Sequence, residues 1–288
     1  MRIRATVAAV SGALALSALV VPAAQADGTA VPDLHKPTAS ELFGNVVKAP
    51  RASARAATTL PVISKVVVNG GKDVVVGTTA AKKFTVSLTA SHPSGVSDAY
   101  VDLWHGTNVD DGMDGLLLPN EDMASCKNVS ATTATCTLTI TAYPGDDLYK
   151  NSLAGTWHVS AGALAADESA VAYTDFYSKA RVQRFSKVTV NAAPEPVKKG
   201  KTITVTGKLW RANWEDFAYH GYAGQSVKLQ FRKKTSSTYS TVKTIKTSST
   251  GTLKTTVKAS VDGYWRYSFA GTSTTPTATA AGDFVDVK

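Results

Sequence analysis

The sequence predicts an all-β protein made of two antiparallel β-sandwich domains in tandem. Apolar residues alternate with polar ones in short runs, as in Phe84, Val86 and Leu88, which are separated by Thr85 and Ser87. Valine and threonine dominate these runs, as is typical of half-buried strands. Clusters of turn residues separate the runs. No segment of either domain has the 3.6-residue apolar stripe of a long helix, which excludes helical and α/β classes.

In the first domain, residues 60–192, seven runs have this strand pattern. Seven short strands joined by polar turns predict an immunoglobulin-like sandwich. Trp104 and Trp157 lie within the runs and are predicted to be core residues. The predicted strands are Val62–Val68, Val74–Val76, Phe84–Leu88, Tyr100–Trp104, Thr135–Ile140, Thr156–Val159 and Val182–Val190.

The second predicted domain, residues 193–288, begins within the stretch Ala192-Ala193-Pro194-Glu195-Pro196. This stretch predicts a stiff hinge, since each proline fixes its own φ and favours extended geometry before it. The same alternation predicts a second immunoglobulin-like sandwich with Trp265 in its core. Its predicted strands are Thr202–Leu209, Ser226–Phe231, Thr241–Ile245, Leu253–Val257, Tyr264–Phe269 and Phe284–Val287.

The amino-terminal residues 1–26 predict a cleaved secretory signal peptide. Arg2 and Arg4 precede an apolar run, and Ala24-Gln25-Ala26 follows it. A retained anchor is the alternative, although the run is short for a membrane span of about 20 residues. Residues 27–59 are rich in Ala, Pro, Ser and Thr and predict a flexible leader with one short helical turn around 41–43. The mature protein is therefore expected outside the cell or at its wall.

Cys126 and Cys136 predict a disulfide bond. The two cysteines are ten residues apart on neighbouring strands or at a loop base, and an oxidising compartment favours their pairing. Two free thiols are the alternative. No nearby His or Cys completes the four ligands of a zinc site.

The second domain carries a family resemblance in Val197–Gly207, Gly224–Arg232 and Asp262–Arg266. These stretches resemble the immunoglobulin-like repeats of secreted actinobacterial proteins, over about the last 95 residues. The resemblance implies an adhesive or spacer module. Some relatives are labelled calcium-binding, but the resemblance supplies no catalytic motif.

The two domains differ in charge. Residues 60–193 hold 10 Lys and Arg against 13 Asp and Glu, a net −3, whereas residues 194–288 hold 15 against 6, a net +9. Lysines at alternate strand positions predict a basic sheet face that binds anionic cell-wall polymer or polysaccharide, with Lys228, Arg232, Lys233 and Lys234 as binding residues. A solvated face that protects the sheet edges is the alternative. No recognition helix or RNA-binding motif supports a nucleic acid partner.

An acidic loop in the first domain is a candidate calcium site. Asn108, Asp110, Asp111 and Asp114 supply oxygens within a glycine-broken stretch. Their spacing differs from that of an EF-hand. A solvated loop without metal is the alternative, because turns often use Asp and Gly.

An unusual aromatic segment, residues 210–222, separates two predicted strands of the second domain. Trp and Tyr side chains with polar neighbours can stack on sugars or form protein interfaces. The candidate binding residues are Trp210, Arg211, Trp214, Tyr219 and Tyr222. The alternative is that Trp210 and Trp214 plug the end of the sandwich core.

The sequence contains none of the common catalytic motifs. There is no Gly-x-Ser-x-Gly elbow, His-Glu-x-x-His pair, phosphate loop or dinucleotide fingerprint. His105, near Asp102 and Asp110, lacks a nucleophile beside it. We therefore predict a secreted, non-catalytic binding or spacer protein without a cofactor. The alternatives are a calcium-binding protein and, with less support, a secreted hydrolase on a sandwich scaffold.

Overall fold

The computed structural model describes residues 34–44 and 59–288. The predicted signal peptide 1–26 and the leader residues 27–33 and 45–58 lie outside the described residues. The described part of the chain holds one short α-helix, α1 (Ala39–Phe43), two 3-10 helical turns (Asn69–Gly71 and Asn151–Leu153) and nineteen strands. No described helix is long and apolar enough to cross a membrane.

Nine strands form the first sandwich. One sheet has the strand order β1-β3-β7-β6, and the other has the order β2-β9-β8-β4-β5. The pairings are antiparallel except between β2 and β9, which run parallel. The strands are β1 (Val62–Val68), β2 (Val74–Val76), β3 (Lys82–Ser91), β4 (Val96–Gly106), β5 (Met113–Leu117), β6 (Ser125–Asn128), β7 (Thr133–Ala142), β8 (Gly155–Ala165) and β9 (Val171–Arg184).

Ten strands form the second sandwich. In one sheet β12 pairs with β10, β11, β13 and β16, and in the other the order is β15-β14-β17-β18 with β19 also on β17. The strands are β10 (Ser186–Val188), β11 (Asn191–Ala193), β12 (Thr202–Ala212), β13 (Tyr219–Gly221), β14 (Ser226–Lys233), β15 (Ser240–Lys246), β16 (Thr252–Lys258), β17 (Gly263–Phe269), β18 (Ala278–Thr279) and β19 (Asp283–Val285).

The fold is all-β, with two immunoglobulin-like sandwiches in tandem, as the alternation predicts. Each sandwich has its own apolar core, built from the inward positions of its strands. Leu88 and Ile140 face Leu103 and Trp157 in the first core, and Trp265 lies in the second. Trp104 is buried as predicted, but on the outer face of its sheet, where its ring stacks on His158.

The chain crosses from the first sandwich to the second before it reaches the proline-containing stretch Ala192–Pro196. The predicted strand Val182–Val190 is divided, because β9 ends at Arg184 and β10 pairs with β12 of the second sandwich. β11 also pairs with β12. The stretch Ala192–Pro196 therefore lies within the second sandwich and is not a hinge between the two.

The two sandwiches are joined by side chains as well as by the chain itself. Trp214, from the segment between β12 and β13, is fully buried and packs in the core of the first sandwich. Its indole Nε1 donates to the carbonyl of Gly77 at 3.0 Å. Gln183 donates to the carbonyls of Thr272 and Ser273 in the second sandwich. These contacts make the junction a packed interface.

Residues 34–44 have defined structure, in contrast to the flexible leader expected there. A capping box between Thr38 and Glu41 starts α1, which includes the predicted turn at 41–43. Phe43 is buried. The Lys36 side chain is only 6% exposed and ion-pairs with Asp102 of β4. This part of the leader packs on the first sandwich.

The predicted disulfide joins Cys126 of β6 to Cys136 of β7. The two residues are directly opposite in the antiparallel ladder. The bond therefore lies within one sheet, whereas antibody domains use a disulfide between sheets. It ties the exposed edge strand β6 to its only neighbour in the sheet order.

Candidate functional site

A basic and aromatic surface forms on the outer face of the β14-β17 pair. Val227 and Leu229 of β14 are buried in the second core, so the alternate residues on this strand point outward. The ladder places Gln230 opposite Arg266 and Arg232 opposite Tyr264. Arginine and tyrosine side chains consequently alternate across two neighbouring strands.

Both arginines stack on tyrosine rings. The guanidinium carbon of Arg266 lies 3.7 Å from the centroid of the Tyr239 ring. That of Arg232 lies 3.8 Å from the centroid of Tyr264 and 5.4 Å from that of Tyr239. Such stacking holds the planar group in one orientation by cation–π attraction. The two guanidinium groups and the two rings form one continuous ladder.

Each guanidinium uses only part of its donor capacity within the protein. Arg266 Nε donates to Gln230 Oε1 at 2.8 Å, and Arg232 Nη1 donates to the carbonyl of Ser236 at 2.8 Å. An arginine has five N–H donors. The ion pair found beside this ladder in the described residues is Lys234 with Asp262, at 3.7 Å. Further donors of both arginines therefore remain for an anionic ligand.

We call this surface the basic face. Lysines extend it, since Lys228 is exposed at the next outward position of β14 and Lys234 lies 5.3 Å from the Phe284 ring. Its members are Lys228, Arg232, Lys234, Tyr239, Tyr264 and Arg266. The predicted residue Lys233 is exposed beside it at the end of β14.

The basic face includes three residues that the sequence analysis did not select. Arg266 and Tyr264 could have been found from the pattern, because they alternate with the core residues Trp265 and Tyr267. Tyr239 lies in the connection between β14 and β15. No periodicity marks such a residue, so only the fold brings it to the two arginines.

The residues of the predicted aromatic binding segment lie in different environments. Trp214 is fully buried, which corrects its selection as a ligand-binding residue. Arg211 stacks on Tyr222 at 4.0 Å, and the Tyr222 ring packs against Phe269. Burial lowers the pKa of Arg211. These three residues therefore serve packing near the junction and the second core.

Trp210 and Tyr219 form a smaller half-buried cluster. Lys187 lies 4.0 Å from the Tyr219 ring centroid and 5.6 Å from that of Trp210. Lys208 lies 5.3 Å from the Trp210 ring. Trp210 is on strand β12 rather than in a loop, because its backbone pairs with Lys187 and Gly221. The cluster lies in the other sheet of the sandwich from the basic face.

The acidic loop does not bring its four residues together around one point. Asn108 Nδ2 donates to Asp111 Oδ1 at 2.6 Å, and the Asn108 side-chain oxygen accepts from the backbone N–H of Asp110. Asp114 instead pairs with Lys150 at 2.9 Å and with His105. In residues 34–44 and 59–288, no three His, Cys, Asp or Glu side chains are grouped as metal ligands.

His105 and Asp102 do not form an acid and base pair. Burial raises the pKa of Asp114, but hydrogen bonds from His105 and Lys150 outweigh it and hold that pKa below its usual range. Asp102 is bound to Lys36 and Tyr100 instead. The histidine and its carboxylate therefore belong to a surface ion-pair network with Lys150.

One groove, of about 470 Å³, lies beside β1 and β9 of the first sandwich. Its charged side chains include Asp73 and Arg181, which pair with each other at 3.0 Å. Much of the remaining lining comes from Val66–Val68 and Ser178–Ala180. Gly71, Lys72 and Thr156 complete the lining.

Comparison with known proteins gives one family match and several distant structural similarities. Residues 74–163 match the model of a family of unknown function, DUF5707, which spans part of the first sandwich. No curated protein matches the chain.

Three solved structures illustrate the structural similarities. The fibronectin(III)-like modules of Clostridium thermocellum CbhA are 14% identical, with 77% of this chain and 93% of theirs covered and a TM-score of 0.32. A marsupial T cell receptor is 11% identical, with 79% and 72% covered and a TM-score of 0.34. A putative superoxide reductase from Thermotoga maritima is 14% identical, with 35% and 86% covered and a TM-score of 0.27. At these identities and scores, none of the three supports an inference about function.

Proposed function

We propose that this chain is a secreted, non-catalytic binding protein that attaches to anionic polymer of the cell envelope or extracellular matrix through the basic face. The observation that carries the proposal is the pair of tyrosine-stacked arginines, Arg232 and Arg266. Planar guanidinium groups bind phosphate and carboxylate oxygens with two parallel hydrogen bonds. Because the rings hold the groups in place, less side-chain entropy is lost when the polymer binds.

Three features support an extracellular location. The Cys126–Cys136 disulfide suits an oxidising compartment. Residues 1–26 have the order of a secretory signal. The second sandwich resembles immunoglobulin-like repeats of secreted actinobacterial proteins, which are adhesive or spacer modules.

A spacer with a solvated face is the competing interpretation, and a binding experiment separates the two. We would titrate the mature protein with a phosphate polymer, poly(glycerol phosphate), and with a carboxylate polysaccharide, polygalacturonate. We expect saturable binding to at least one polymer, weakening steeply as salt rises, since salt screens exposed charges. The polymer that binds more strongly identifies the anionic group, phosphate or carboxylate, that the basic face prefers. Absence of binding to both at low salt would leave the spacer interpretation.

Variants locate the binding surface. We expect R232Q/R266Q to weaken binding at least tenfold, about 1.4 kcal/mol or more. K254Q/K258Q is the matched control, because it removes the same charge from exposed positions of β16 in the other sheet. R232K/R266K keeps the charge but loses the planar stacked group. Equal losses for R232Q/R266Q and K254Q/K258Q would show that net charge acts without a site.

A further inference from the structure

A buried carboxylate lies on the outer face of the first sandwich. Val101 and Leu103 of β4 point into the core, so Asp102 between them points outward, yet it is fully buried. Its Oδ2 accepts from the Tyr100 hydroxyl at 3.0 Å, and its Oδ1 has no hydrogen-bond partner among the described residues. A buried charge requires a counter-charge. No strand of the sandwich supplies one within ion-pair distance in the described residues.

Lys36 supplies the counter-charge from outside the sandwich. Its Nζ lies 3.0 Å from Asp102 Oδ2 and 2.8 Å from Asp175 Oδ1. The same ammonium donates to the Tyr173 hydroxyl and lies 5.1 Å from the centroid of that ring. Burial lowers the pKa of Lys36, but Asp102 and Asp175 outweigh burial and raise it above its ordinary value. The ammonium is thus enclosed by two carboxylates and a phenol.

A second pocket receives the Phe43 ring, which is 7% exposed. A Cβ atom on Gly162 would lie 2.8 Å from Phe43 Cε2 and 3.0 Å from its Cζ. Gly162 does not have a positive φ, so its backbone conformation does not demand glycine. The missing side chain instead provides the space that the phenyl ring occupies beside Tyr173.

Residues 34–44, which carry Lys36 and Phe43, contact the sandwich in the way that a bound peptide would. Backbone N–H groups of Glu41 and Leu42 donate to the Thr38 carbonyl, within the segment itself. Among the described residues, no backbone hydrogen bond joins 34–44 to a strand. One turn of helix places Lys36 and Phe43 over their two pockets.

We propose that the outer face of the β9-β8-β4 sheet is a two-pocket peptide-binding site, and that residues 34–44 are its tethered ligand. Asp102 and Asp175 bind the ammonium of a lysine, and the space at Gly162 beside Tyr173 binds an aromatic ring seven residues later. The same segment of a second copy, or the free peptide, fits the site whenever the tethered segment leaves it.

A peptide-binding experiment with the full mature chain tests this. The probe is a fluorescein-labelled peptide with the sequence of residues 34–44, followed by anisotropy. K36M/F43A empties both pockets within the chain, and we expect it to bind the peptide one to one, at least tenfold more tightly than the wild type. The wild type should bind weakly, because its own segment competes at a high effective concentration. A peptide carrying Lys36→Met should not bind K36M/F43A.

Variants of the two pockets distinguish a specific peptide site from nonspecific binding to an exposed face. In the K36M/F43A chain, D102N and G162A should each abolish peptide binding. D73N is the matched control, because it removes a carboxylate from the Arg181 ion pair of the same sandwich, and binding should survive. A folded K36M/F43A chain that does not bind the peptide overturns the proposal.

A single substitution covers the case in which K36M/F43A does not fold. K36M retains Phe43 in its pocket, and its affinity for the peptide should lie between those of the wild type and K36M/F43A. If K36M also fails to fold, residues 34–44 are an integral part of the sandwich and the proposal is wrong.

Discussion

At the residue level, the outcome of each prediction depended on which face of its strand the side chain lies on. Cys126, Cys136, Trp157 and Trp265 occupy the environments that their strand positions predict. Trp104 is buried as well, but on the outer face of β4, where the rings of His158 and Phe176 pack against it. Trp104 Nε1 donates to the Asp175 carbonyl at 2.8 Å. A strand pattern alone does not show that residues of the neighbouring strands bury its outer side.

The ion pairs of Asp114 predict an acid-dependent part of the stability. Its pKa is lowered in the folded state, so its contribution is present above the unfolded value of about 3.9 and is lost as pH falls through the folded value. D114N should therefore unfold more easily than the wild type at pH 7, by about 1 kcal/mol or less. Urea unfolding from pH 7 to pH 2 should show this difference vanishing.

D110N is the control for that experiment, because Asp110 is exposed and makes no ion pair in the described residues. A constant difference between D114N and the wild type at every pH would contradict the assignment.

Calcium added to the same samples tests the candidate metal loop. A higher melting temperature with calcium would support the metal loop, but because Asp114 is already paired with Lys150 and His105 we expect no change.

At the level of elements, the well-alternating strands were predicted and the irregular ones were not. β1 and β2 have their predicted bounds, and β3, β14 and β17 extend theirs. The 14-residue strand β9 was largely missed, since most of its residues before Val182 are half-buried or exposed without a period. β6 and β13 are edge strands of only 4 and 3 residues, which is too short for an alternating pattern to mark them.

The disulfide should stabilise the edge hairpin of β6 and β7. Closing a loop of ten residues in the unfolded chain predicts a gain of about 2–3 kcal/mol. We expect C126S/C136S to lower the free energy of unfolding by that amount and to speed amide exchange in β6. Denaturant unfolding and hydrogen exchange measure the two effects.

Reductant provides the control for the disulfide. It should destabilise the wild type to the level of C126S/C136S and leave that variant unchanged. Equal stability of the wild type with and without reductant would show that β6 is held by other interactions.

At the level of the whole molecule, the sequence indicated two sandwiches but not the packed interface between them. The sequence predicts the aromatic segment 210–222 to be a binding loop or a plug for the core of its own domain. Trp214 instead plugs the core of the other sandwich, and Asn151 of the first sandwich accepts a hydrogen bond from its backbone N–H. Only the folded chain brings these two residues, 63 positions apart, into contact.

Removing the Trp214 ring should therefore destabilise the first sandwich. W214A leaves a cavity in a packed core, and we expect a loss of about 3–5 kcal/mol. W210A, at a half-buried position on β12, should cost much less. Urea unfolding followed by tryptophan fluorescence compares the two. Similar losses for both variants would contradict the junction described above.

The position of Trp214 also bears on how this protein can change by recombination. A gene fragment that ends where the first sandwich ends would encode a domain lacking one of its own core side chains. A fragment that begins at the second sandwich would carry an indole with no cavity to fill. We therefore expect exchange of either sandwich for an unrelated one to be destabilising, so that the two sandwiches are inherited together.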